Sequence, residues 1–110
     1  MSAPYEDASK LRENISKLLD ETEQNRLTLL RTDLNLIRTL TDSVESEIKL
    51  KSHEHAAQTF THASKGYADA SRIFGQRKCW GEEHTNEIQE KLADLRWELD
   101  RLQQLLYPGP

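Results

Sequence analysis

Residues 82–108 read EEHTNEIQEKLADLRWELDRLQQLLYP. Within this stretch Ile88, Leu92, Leu95, Leu99, Leu102 and Leu106 step by four, three, four, three and four. That spacing sets all six on one face of an α-helix with the heptad period of a coiled coil. Glu82, Glu83 and Glu87 stand near its start, where unpaired backbone amides favour negative charge. Gly81 suits the N-cap, and Pro108 ends the helix after Tyr107. The spacing predicts a helix over 82–107.

The same rhythm recurs upstream. Leu30, Leu34, Ile37, Thr41, Val44 and Ile48 form one stripe, and Ala56, Phe60, Ala63, Tyr67, Ala70 and Phe74 form another. Leu29, Leu36 and Leu40 lie beside the first and widen its apolar face, which suits contact with more than one helix. The alanines of the second suit close approach of a partner helix. Between them, Ile48 to Ser52 to Ala56 takes two steps of four, read as a stutter that unwinds a supercoil locally without ending the helix. At the N-terminal end Leu11, Ile15 and Leu18 begin a stripe that then meets Thr22 and Asn25 or Arg26.

No Gly or Pro occurs from Tyr5 to Lys65. One long helix over about 5–74 is therefore expected, with Gly66 costing roughly 1 kcal/mol relative to Ala. Breaks near 20–25 or 41–43 are the alternative. Gly75 supplies a C-terminal stop, and residues 75–81 form a short connector that makes the flanking helices antiparallel. The expected fold is all-α, a single domain over 1–110 built as an antiparallel helical hairpin or coiled coil. A three- or four-helix bundle is the alternative.

Composition fits this reading. The chain has 110 residues, 31% charged and 35% hydrophobic, with only four Gly and three Pro. Such a chain lacks the frequent turns of a sandwich or barrel. Nineteen acidic against fifteen basic residues give a net charge of −4. The basic residues are dispersed, so no nucleic-acid-binding face is expected. No apolar run approaches the roughly 20 residues that span a bilayer, and the N-terminal residues do not read as a signal peptide. A single cysteine, Cys79, precludes an internal disulfide and suits a reducing, cytoplasmic setting.

Few residues suggest chemistry. His55 and His62 are seven apart, about 10.5 Å along a helix axis and too far for one metal ion. His53 and His55 point to nearly opposite sides. Glu-x-x-His, the di-iron signature, is absent. No phosphate loop and no set of nucleophile, base and orienting group can be picked out. No enzyme activity, metal or cofactor is expected. The alternative, a self-contained bundle holding a metal or small ligand, requires at least two of His55, His62 and His84 to converge.

Function is instead expected from protein contact, by self-association or with a helical partner chain. An unbroken helix over 5–74 is roughly 105 Å long and the 82–107 arm about 39 Å, so the arm leaves much of the long helix uncovered. Leu30, Leu34, Ile37, Val44 and Ile48 are then the candidate partner-facing seam. Trp97 falls on the outward face of the last helix, with Arg101 four residues on, and is a candidate second contact. At the connector, Arg77, Lys78 and Trp80 read either as a docking tip or as dipole-complementing charges beside an aromatic end-seal. The chain is similar in general look to small coiled-coil subunits of larger complexes. A secretion chaperone or secreted helical hairpin is a further alternative, although Cys79-Trp80-Gly81-Glu82 departs from the Trp-x-Gly turn of the WXG-type hairpins.

Overall fold

The computed structural model describes residues 4–76 and 80–109. Among them the chain forms three helices: α1 over Pro4–Lys49, α2 over His53–Gln76 and α3 over Glu82–Leu106. The long helix expected over 5–74 is thus divided, at neither 20–25 nor 41–43 but at Leu50, Lys51 and Ser52. Lys51 enters the left-handed region at φ 62°. Its amide donates to the Ile48 carbonyl at 3.0 Å, and the Ser52 amide donates to the Glu47 carbonyl at 2.9 Å. This pair of bonds is a Schellman close, normally completed by glycine. The Ser52 carbonyl then accepts the Ala56 amide at 2.9 Å, starting α2. The double step of four at Ile48, Ser52 and Ala56 therefore marks a reversal of the chain, not a stutter.

That reversal lays α2 back along the C-terminal half of α1, and α3 returns beside both. Leu27, Leu30, Leu34 and Ile37 of α1 meet Ala70 of α2 and Ile88, Leu92 and Leu95 of α3 in one cluster. Val44, Ala56 and Leu102 form a second, flanked by Ile48, Phe60 and Leu106. Leu30, Leu34, Ile37 and Val44 are only 2%, 2%, 3% and 0% exposed. The expectation that they lie uncovered and face a partner is corrected: with α2 free to fold back, this chain covers them itself. Ile48 is half-buried against the second cluster.

Small residues set the spacing. Ala56, Ala63 and Ala70 are fully buried along α2, and a Cβ on Gly66 would sit 3.2 Å from Ile37 Cγ1. Thr41 crosses the α1 seam without an orphaned hydroxyl, because its Oγ1 donates to the Arg38 carbonyl at 2.7 Å. At the α2–α3 turn, Trp80 stacks on Phe74 with centroids 6.1 Å apart, and its Nε1 donates to the Phe74 carbonyl at 3.1 Å. Gly81 adopts φ 84° ahead of α3, a conformation that glycine takes without penalty. Ion pairs tie α3 to α1 at both ends, Arg31 to Glu87 and Arg101 to Glu45.

The helices are unequal in length. α1 has 46 residues against 24 and 25 in α2 and α3. The molecule measures 77 × 23 × 17 Å, and residues 8–26 are exposed at every position. The N-terminal part of α1 is therefore an arm projecting beyond the bundle.

Candidate interaction face

The arm has its own hydrophobic line. In the phase of the core seam, the positions before Leu27 are Glu23, Asp20, Ser16 and Glu13, all polar, so the bundle's seam ends where α2 and α3 end. Apolar residues continue on another face. Leu11, Ile15, Leu18, Thr22, Asn25, Leu29, Thr32 and Leu36 step by four and three without a slip. At about 100° per residue this line lies roughly 150° from the core seam, almost directly behind it. It runs the length of the arm and onto the back of the bundle.

All five of its large apolar side chains face solvent: Leu11 60%, Ile15 47%, Leu18 61%, Leu29 63% and Leu36 58% exposed. The threonines make the line more apolar than their names suggest. Thr22 Oγ1 donates to the Leu18 carbonyl at 2.8 Å and Thr32 Oγ1 to the Thr28 carbonyl at 2.9 Å. Each hydroxyl is satisfied within its own helix, which leaves the γ-methyl available for packing. Asn25 is the one strongly polar member, the kind of residue that fixes register in a coiled-coil seam.

By spacing alone, Leu29 and Leu36 widen the core face, and the stripe from Leu11 to Leu18 is a separate, weaker one. The signal joining them is the unbroken four–three spacing through Thr22, Asn25 and Thr32, which low hydrophobicity conceals. The tertiary structure separates the two lines by burying one and leaving the other bare.

Trp97 is 63% exposed, and the Arg101 guanidinium carbon lies 5.9 Å from its ring centroid. Arg101 is held there by Glu98 at 2.9 Å and Glu45 at 3.2 Å, and these carboxylates raise its pKa. Trp80 closes the end of the bundle, while Arg77, Lys78 and Cys79 lie outside the described residues.

The histidines are dispersed. His53 and His55 are exposed at the start of α2. His62 lines a surface groove of about 220 Å3 with Asp33, Leu36, Gly66 and Asp69. His84 sits across the bundle beside Arg31, whose Nη2 donates to its Nδ1 at 3.2 Å. Arg31 also grips Glu87 with two bonds of 2.7 and 3.0 Å, which hold the Glu87 carboxyl below its ordinary pKa. Among the described residues no three His, Cys, Asp or Glu gather as a metal-binding group, and no helix is long and apolar enough to cross a membrane. Comparison with known protein families, characterised proteins and solved structures finds no match to this chain.

Proposed function

We propose that this protein is a non-enzymatic helical interaction module, a coiled-coil subunit or scaffold of a larger protein assembly. Its working surface is the outer face of α1 from Leu11 to Leu36. The observation that carries this reading is a strict four–three line, with exposed leucine or isoleucine at five of its eight positions, on a helix that projects from its own bundle. Each leucine-sized side chain left in water forgoes about 1.5–3 kcal/mol, and helix-in-groove or helix-to-helix contact at i, i+3, i+4 and i+7 positions recovers it. The lone cysteine and the dispersed charge support action in the cytoplasm through protein contact.

The double substitution Leu18→Glu with Leu29→Glu tests this reading. Both side chains are exposed, so helix content by circular dichroism and the thermal midpoint of the bundle are expected to persist. Association, read by sedimentation and by affinity capture of helical chains from the native cells, is expected to be lost. Equal association by the wild type and the variant would remove this face from the mechanism.

A further inference from the structure

We infer that the occupant of the outer α1 face is the same face of a second copy, running antiparallel about a two-fold axis between Thr22 and Asn25. The inference rests on the interaction-module reading above and names its partner. Reversed end for end, the line lays all four leucines on leucines, the polar pair Thr22 and Asn25 on each other, and β-branched Ile15 on β-branched Thr32. A two-fold interface must be self-complementary, and this one is. Antiparallel overlay pairs Leu11 with the second copy's Leu36, Leu18 with its Leu29, Ile15 with its Thr32 and Thr22 with its Asn25, each pair occurring twice.

Charge follows the same register. Beside the line, Arg12 of one copy and Asp33 of the other lie on the same flank, offset by two residues or about 3 Å along the axis. Among the described residues neither has an ion-pair partner within its own chain. The arm also needs support. A helical segment without tertiary packing is marginal in water. In a parallel pair the two arms would support only each other. The antiparallel pair lays each arm on a stretch of α1 that α2 and α3 already hold, because the two-fold point falls just before Leu27, the first core residue.

Disulfide mapping tests the register in a Cys79→Ser background, using Leu11→Cys and Leu36→Cys as separate proteins. Mixed and oxidised, they are expected to give a covalent dimer joining positions 11 and 36, at twice the chain mass of 12.8 kDa. Either protein alone is expected to stay uncrosslinked, since like positions lie about 38 Å apart along the axis, beyond the roughly 7 Å reach of a disulfide. Arg12→Glu is expected to weaken dimerisation roughly tenfold, and adding Asp33→Arg to restore it.

Ready 11-to-11 crosslinking would show a parallel pair and overturn the inference while leaving the interaction face standing. A wild type that stays monomeric but captures another helical chain through Leu18 and Leu29 would also overturn it, again sparing the broader reading. A monomer whose captures ignore Leu18→Glu and Leu29→Glu would defeat both.

Discussion

Lys51 carries the turn that makes this fold, in a backbone region where a side chain is strained. A non-glycine residue with left-handed geometry costs roughly 1–2 kcal/mol, and here the two Schellman bonds hold it in place. Lys51→Gly is therefore expected to stabilise the protein by about 1 kcal/mol in urea unfolding, less some added entropy of the unfolded chain. Glu87 gives the pH dependence. Its carboxyl is held below the ordinary value of 4.5, first by hydrogen bonds from Arg31. The folded state thus binds fewer protons than the unfolded state in that range, so this contribution is present above 4.5 and lost as the pH falls through the lowered value. Glu87→Gln is expected to flatten the acid limb of the stability profile there, modestly, because both partners are 36% exposed.

At the scale of elements, α2 is defined by what it lacks. Ala56, Ala63 and Ala70 recur every seven residues and are buried, so the α2 backbone comes close to its neighbours along that line, while Phe60, Tyr67 and Phe74 pack beside it. Interiors packed this tightly do not admit extra methylenes without strain. Ala63→Leu is expected to lower stability by about 1–3 kcal/mol, measured by thermal unfolding. An increase would mean that α2 has room to spare. On α1 the same heptad arithmetic operates twice, once on each side of the helix. One line ends in Glu23, Asp20, Ser16 and Glu13, and the other continues apolar to Leu11. That divergence marks where the bundle stops and the arm begins.

For the molecule as a whole, the inequality of the helices decides what is left for a neighbour. The bundle covers one face of residues 27–49 of α1 and leaves the arm bare on every side. An antiparallel pair overlapping about Thr22 and Asn25 sets each bundle alongside the other's arm. The dimer then doubles the mass while staying near the 77 Å length of one chain. Small-angle scattering across a concentration series is expected to show a rising mass with a nearly constant maximum dimension. Growth toward twice that length would indicate end-to-end contact and contradict the pairing.

The all-α class, the span of α3, the Gly81 and Pro108 boundaries and the Arg101–Trp97 contact were all legible in the sequence, because local spacing and capping chemistry specify them. The reversal at Lys51 was not. No glycine or proline announces it, and tertiary packing compensates the left-handed lysine. From that one turn follows the fate of Leu30, Leu34, Ile37 and Val44. Periodicity fixes which residues share a helix face but not what covers that face, since the covering depends on where the chain turns back. Only the assembled bundle separates the seam that is already buried from the line, Leu11 to Leu36, that still meets water.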